Sequence, residues 1–272
     1  MIRLAANLSF LWPDRPLVER IRAARKAGFR AVEFQFPYEV PSAVIKAELA
    51  ANHLIALGIN TPPGRANVGE LGFGAVEGRE DDFERSIDEA IAYARGCGAA
   101  AIHVMAGNVE TRRRPAGRDV FVQNLRYTLE KMNICDKRSS SKPCGIERQK
   151  LTFLLEPLNR YDHPMYFYSS VAEVAEIIDE IAAPQLRLQF DVYHVARGGA
   201  DPIEQLCRYY SCIGHVQIAG LSARNEPDTG WLDYRRIFAV LEEIGYEGWV
   251  GCEYRPVGDT DVGLSWISRL IS

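Results

Sequence analysis

Short apolar runs and longer amphipathic stretches alternate along the chain, separated by polar or Gly/Pro-containing turns. The apolar runs read as strands at Leu4–Leu8, Ala31–Phe36, Leu54–Asn60, Ala100–Ala106, Leu151–Glu156, Leu186–Asp191, Ile213–Ile218 and Trp249–Glu253. Between them, Phe83, Ile87, Ala90, Ile91 and Ala94 keep the helical period and stop near Gly96. Val171, Val174, Ala175 and Ile178 repeat it behind Ser169 and Ser170, both suited to an N-cap. Pro16–Gly28, Pro41–Ala51, Arg118–Met132, Asp201–Tyr209, Asp233–Ile244 and Asp261–Leu270 read as the remaining helices. Strands apolar on both faces, each followed by a helix, predict a parallel sheet covered by helices. With eight such units the expected form is one (β/α)8 barrel over residues 1–272. An open doubly wound sheet is the rival, but no GxGxxG follows the first strand, which removes its commonest dinucleotide-binding version.

One segment breaks the alternation. Residues Asn133–Lys150 are polar and Ser-rich, with Lys137, Arg138, Lys142, Arg148 and Lys150 set against Asp136 and Glu147. A connection from helix to strand normally takes only a few residues. This stretch is therefore expected to be an atypical solvated loop on the face away from the chemistry.

Length agrees with the barrel: the chain has 272 residues, against about 250 for one (β/α)8 domain. Two domains of about 100–150 residues would also fit, yet no linker divides the sequence. The composition, 47% hydrophobic and 25% charged, supplies a large core. Net charge is -4, with no basic stripe, so nucleic acid and anionic membrane are not the expected partners. No apolar run is long enough to span a bilayer. The N-terminal MIRLAANLSFLWPDRP lacks the apolar core of a secretory signal. Six cysteines without a CxxC pair suggest free thiols in a reducing cytoplasm.

In a (β/α)8 barrel, catalytic groups come from the C-terminal ends of the strands. Strands five to eight end in TFLLEP, LQFD, HVQIA and GCEY, which places Glu156, Asp191, Gln217 and Glu253 there. Each is an acid or amide in apolar surroundings, where an unpaired charge is costly. A hard divalent cation removes that cost, and three carboxylates with one amide carbonyl suit Mg²⁺ or Mn²⁺ better than zinc. The spacings of 35, 26 and 36 residues each approximate one strand–helix unit. Four consecutive strands thus aim one oxygen ligand each at a common point.

The strings NLSFL (7–11), GFRAVEFQFPY (28–38), HVMAGN (103–108), LLEPLN (154–159), QFDVYH (189–194), HVQIA (215–219), NEPDTG (225–230) and GCEYRP (251–256) cover nearly the whole chain. Together they resemble the hydroxypyruvate isomerase family of the xylose-isomerase-like TIM barrels. The resemblance implies one metal on Glu156, Asp191, Gln217 and Glu253, with Glu156 and Glu253 as the proton-transfer pair. It also implies His194 and Arg224 beside the substrate oxygens. The implied reaction interconverts hydroxypyruvate and tartronate semialdehyde. The alternative is isomerisation or epimerisation of a longer sugar acid or ketose, such as a 2-oxo-tetronate. Three stretches depart from the family pattern: Arg65 after Pro62-Pro63-Gly64, the Leu221–Pro227 stretch around Arg224, and Asn133–Leu155 in place of a short connection.

The proposed chemistry moves a proton between adjacent carbons through an enediolate. A chelating metal would acidify the C–H bond, and two carboxylates would remove and return the proton. Arg224 is the expected anchor for the substrate carboxylate, since a guanidinium grips it with two hydrogen bonds. His194 lies three residues beyond Asp191 and can donate to a substrate oxygen. Glu33 near the end of strand two is a weaker substrate contact, with a structural ion pair as its alternative. His103 and His215 read as barrel-lining residues, and Phe10, Trp12 and Phe36 as an apolar wall. The expected partner is a small hydroxy-oxo acid; homo-oligomerisation is left open. Two rival classes, a metal-dependent endonuclease and a non-catalytic binding protein, explain the five scattered histidines and the paired carboxylates less well.

Overall fold

A computed structural model describes residues 1–140, 150–221 and 223–271, with side chains described outside 133–140. The elements run β1 (Arg3–Asn7), α1 (Leu17–Lys26), β2 (Ala31–Glu33), α2 (Ser42–Ala51), β3 (Ile55–Ala56), β4 (Gly58–Asn60), α3 (Glu80–Cys97), β5 (Ala101–His103) and α4 (Arg114–Ser140). They continue with β6 (Thr152–Leu155), α5 (Val171–Ile181), β7 (Leu186–Asp191), α6 (Val192–Arg197), α7 (Pro202–Tyr209) and β8 (Ile213–Ile218). The chain ends with α8 (Tyr234–Glu243), β9 (Trp249–Cys252), α9 (Thr260–Gly263) and α10 (Trp266–Leu270).

All strand pairings are parallel, in the order β3-β2-β1-β9-β8-β7-β6-β5-β4. The two ends of that order, β3 and β4, are one barrel strand interrupted at Leu57. The Leu57 N–H donates to Val32 O at 2.8 Å, while its carbonyl accepts from Ala100 N at 3.1 Å and Ala101 N at 2.9 Å. One residue thereby bonds both neighbours and closes the eight-stranded barrel that the sequence predicts. The first and last units are also tied across the seam. The Trp12 N–H donates to Thr260 Oγ1 at 2.9 Å and its indole N–H to Asp261 Oδ1 at 2.9 Å.

The helices form where apolar period and end signals coincide. In α5, Val171, Val174, Ala175 and Ile178 are buried, and Ser170 and Glu173 build a capping box that satisfies both their backbone donors. Ser170, rather than Ser169, is the cap. Three expectations are corrected. The helix expected to end at Met132 continues as α4 to Ser140, so the first half of the expected 133–150 loop is helical. No Gly or Pro interrupts residues 133–140, and solvated charge alone does not stop a helix. Residues 141–149 of that expected loop lie outside the described residues. The Asp261–Leu270 helix is two short helices, α9 and α10. The sequence reading also missed α6, whose N-cap is Asp191 itself.

Cys97, Cys207, Cys212 and Cys252 carry free thiols. Among the described residues, no helix is long and apolar enough to cross a membrane.

Candidate active site

Side chains two apart on a strand share a face, so β7 aims Gln189 and Asp191 into the barrel and β8 aims His215 and Gln217 beside them. Register aligns Gln189 with His215 and Asp191 with Gln217. Glu156 follows β6 and Glu253 follows β9, bringing all four strand-end residues to one place. Glu33, Glu156, Asp191, His194, Gln217, Arg224 and Glu253 are all buried.

Amide side chains hold this set together. The Gln189 amide donates to Glu156 Oε2 and to Gln217 Oε1, both at 2.8 Å. The Gln217 amide donates to Glu253 Oε2 at 2.6 Å and to Glu33 Oε1 at 2.8 Å. Asn7 adds a donor to Glu253 Oε2 at 2.7 Å and to Glu33 Oε1 at 2.9 Å, and Gln35 one to Glu253 Oε1 at 3.2 Å. Glu33 is also paired with His215, its Oε2 lying 2.6 Å from Nε2. It therefore joins the cluster as a support for Gln217, one layer below the strand ends. Burial pushes its carboxyl up, but His215 and the amide donors outweigh that and hold it below its ordinary range.

Gly251 explains how Glu33 reaches so far across the barrel. A Cβ there would lie 2.4 Å from Glu33 Oε1, so only glycine leaves room for the carboxylate. Below the network, a cavity of about 180 Å³ reaches Gln217 and Glu253 from the N-terminal side of the strands. Small residues at Gly58, Ala101 and Gly214 help line it.

Arg224 lies on the other side. Its Nη2 donates to Asp191 Oδ2 at 3.0 Å and also to Glu253 Oε1. The guanidinium lies 5.2 Å from the ring centres of both Phe10 and Tyr193. Arg224 has φ 58°, a left-handed conformation that costs a non-glycine residue about 1–2 kcal/mol. Bonds on either side hold it there: Gly220 N to Asn225 O and Arg255 N to Arg224 O, each 2.7 Å.

The three carboxylates burden one another. Burial and the charges of Glu253 and Asp191 push Glu156 well above the carboxylate range. Burial also raises Asp191 against the opposing pull of Arg224. Glu253 is pushed up to about 8 by burial, with Arg224 opposing and Asp191 and Glu33 reinforcing. Glu156 Oε1 is buried without a hydrogen-bond partner among the described residues. An orphaned oxygen facing like charges is the local requirement that a divalent cation would meet.

Glu156, Asp191 and His194 have potential ligand atoms all within 4.8 Å of one another, so this cluster could bind a metal ion. The tautomer of His194 bears on which of the three would do so. Its Nδ1 accepts the Asn159 backbone N–H at 3.1 Å, so in the neutral ring the proton sits on Nε2. Burial and the Arg224 charge keep the ring well below its ordinary range and hence neutral. Nε2 lies 3.8 Å from Glu156 Oε1 and 3.7 Å from Asp191 Oδ2. There it offers a donor rather than a lone pair. The Gln217 carbonyl accepts one bond, from Gln189, and retains a second lone pair.

The sequence reading missed Asn7, Gln35, Gln189 and Asn159. Strand parity offered a signal for Gln189, two residues before Asp191, but buried amides carry no charge to mark them. His103 lines the barrel as expected, its Nδ1 3.3 Å from Glu156 Oε2 without the alignment of a hydrogen bond. Burial pushes it down to about 3, so the ring is neutral. Of the expected apolar wall, Phe10 faces the site. Trp12 is wholly buried under α9, and Phe36 is 38% exposed.

Residues 21–270 match the family model described as xylose isomerase-like TIM barrel. The 2-oxo-tetronate isomerase of Cupriavidus necator is 40% identical over 98% of both chains. The hydroxypyruvate isomerase of Escherichia coli is 33% identical, again over 98% of both. Among solved structures, AP endonuclease, family 2, from Brucella melitensis superposes with a TM-score of 0.90 at 37% identity over 99% of each chain. The chain therefore belongs to the xylose isomerase-like TIM barrel family, where it groups with the hydroxypyruvate and 2-oxo-tetronate isomerases, and it is an isomerase.

Proposed function

We propose that the protein interconverts hydroxypyruvate and tartronate semialdehyde by proton transfer between adjacent carbons, with Glu156 and Glu253 as the acid/base pair. The observation that carries this reading is that Glu156 and Glu253 are both buried and flank Gln217 within one hydrogen-bonded set. Two buried carboxylates in one site can take a proton from one carbon and return it to the next. One carboxylate removes a proton from C3 of hydroxypyruvate and the other delivers one to C2, while the hydroxyl proton passes from O3 to O2, so that the enediolate collapses to an aldehyde at C3 and an alcohol at C2. The roles exchange with direction. His194 Nε2–H and the Arg224 guanidinium would donate to the two oxygens of the enediolate.

Glu156, Asp191, Gln217 and Glu253 would hold one divalent ion, Mg²⁺ or Mn²⁺. When bound, such an ion supplies Lewis-acid stabilisation of the negative charge that develops on the adjacent oxygens. Asp191 divides its two oxygens: Oδ1 accepts the Tyr193 N–H at 2.8 Å and starts α6, while Oδ2, which accepts from Arg224 at 3.0 Å, faces the site and keeps a second lone pair. Glu33 orients Gln217 through the bond at 2.8 Å and so sets the direction of its carbonyl.

The Cupriavidus relative, at 40% identity, favours a second substrate on the same groups, the four-carbon 2-oxo-tetronate. The Brucella structure carries the name of an endonuclease, but a net charge of -4 and an acid-lined site favour a small oxo acid over a polyanion. A panel of hydroxy-oxo acids, assayed with EDTA and with added Mg²⁺ or Mn²⁺, tests the proposal. Metal-dependent turnover highest on hydroxypyruvate is expected. Higher turnover of 2-oxo-tetronate moves the assignment to the four-carbon acid. Cleavage of abasic DNA without oxo-acid turnover overturns both.

A further inference from the structure

The geometry points to Arg255 as the residue that holds the carboxylate of the substrate, with Arg224 serving the reacting oxygens; this rests on the hydroxy-oxo acid reading above. Arg224 is already committed. Its buried guanidinium bonds Asp191 and Glu253, and another anion drawn fully against it would face both of those carboxylates. A second guanidinium is needed for a substrate that carries its own negative charge.

Arg255 is placed to supply it. It follows Glu253 by two residues, at the mouth of the barrel. Its Cζ lies 5.9 Å from the Phe10 ring centre, and the Arg224 Cζ lies 5.2 Å from that same ring. Phe10 thus receives both cations, one buried and one exposed. Among the described residues, no carboxylate pairs with the Arg255 side chain, whereas Arg224 has two such partners. His163, half-buried at the same rim, is held below its ordinary range by burial and by the charges of Arg224 and Arg255. Two guanidiniums, Arg224 and Arg255, thus share the Phe10 rim above the carboxylates of Asp191 and Glu253.

The Arg255 backbone is fixed although its side chain is exposed. Its N–H donates to Arg224 O at 2.7 Å and its carbonyl accepts from Asn225 Nδ2 at 2.8 Å. Pro256 confines Arg255 to extended conformations, and the next residue, Val257, donates its N–H to Glu226 Oε1 at 3.1 Å. The loop that positions Arg224 thereby also sets where Arg255 begins. A guanidinium on such a base can meet a carboxylate with two parallel hydrogen bonds at a modest entropic cost.

The test compares hydroxypyruvate with dihydroxyacetone, in which an uncharged CH2OH replaces the carboxylate, using Arg255→Ala and Arg255→Lys. In Arg255→Ala, the ratio of kcat/KM for the acid to that for the neutral substrate should fall about 10- to 100-fold, mainly through KM of the acid. Arg255→Lys should recover part of that ratio, keeping the charge but not the fork. D-Glycerate, titrated calorimetrically as an unreactive carboxylate, should bind Arg255→Ala more weakly by a similar factor. An unchanged ratio in Arg255→Ala, with acid turnover retained, overturns the role of Arg255 and leaves the proposed reaction standing. Equal losses on both substrates also overturn it, by showing a general structural effect. If the wild-type protein turns over no hydroxy-oxo acid, the reading itself fails and this assignment fails with it.

Discussion

The residues that define the site do so through unequal hydrogen bonding. Glu253 accepts from Arg224, Gln35, Asn7 and Gln217, whereas Glu156 accepts one bond, from Gln189, and leaves Oε1 without a partner. Replacing either Glu156 or Glu253 with Gln should lower kcat by about 10²- to 10⁴-fold, the usual range for a general acid or base. The circular dichroism spectrum should remain unchanged; activity near wild type in both variants would remove them from the mechanism. Gln189 touches Glu156 and Gln217 at once, so Gln189→Leu should weaken divalent-ion binding by about 10- to 100-fold, read by calorimetry with Mn²⁺. The four proposed ligands were legible in the sequence because acids and amides at strand ends are conspicuous against apolar neighbours. Asn7, Gln35 and Gln189 were not, because their role depends on which strands become neighbours around the barrel. The tautomer of His194 was hidden for the same reason: it is set by the Asn159 N–H, 35 residues away in sequence.

At the scale of elements, the periodic segments could be read and the interrupted ones could not. The α5 pattern and its serine cap were visible because both signals are local. Ser170→Ala should destabilise the protein by about 1 kcal/mol through loss of the capping box, measured by urea denaturation. The break at Leu57 was invisible, since it is imposed by bonding to two neighbouring strands rather than by sequence. α6 was masked because Asp191 ends β7 and caps the helix in one residue. In β9, Gly251 exists to admit a side chain from β2. Gly251→Ala should cost about 1–3 kcal/mol by overpacking and should displace Glu33 from Gln217. Retained stability and activity in that variant would show that the packing there is looser than the 2.4 Å approach indicates.

For the whole molecule, barrel closure concentrates Glu156, Asp191 and Glu253 around the Arg224 guanidinium. The eight-unit alternation made this architecture legible, and Phe10 and Arg224 could be picked out, although neither the place of Arg255 beside them nor the continuation of α4 to Ser140 could be foreseen. Concentrated negative charge predicts that a divalent ion binds the folded chain and stabilises it. At about 100 times Kd the gain is about 2.7 kcal/mol, seen as a rise in Tm that EDTA reverses. Glu156→Gln should reduce that rise; an equal rise in that variant would place the ion elsewhere.

Glu156 and Glu253 are proposed to shuttle a proton between adjacent carbons of a bound hydroxy-oxo acid. Proton NMR of hydroxypyruvate in D2O, with enzyme and Mn²⁺ removed by chelation before acquisition, tests it most directly. Wild-type protein should exchange the C3 hydrogens for deuterium and yield tartronate semialdehyde deuterated at C2, while Glu156→Gln and Glu253→Gln should lose this exchange. Product formed without any solvent deuterium, or undiminished exchange in both variants, would contradict the assignment.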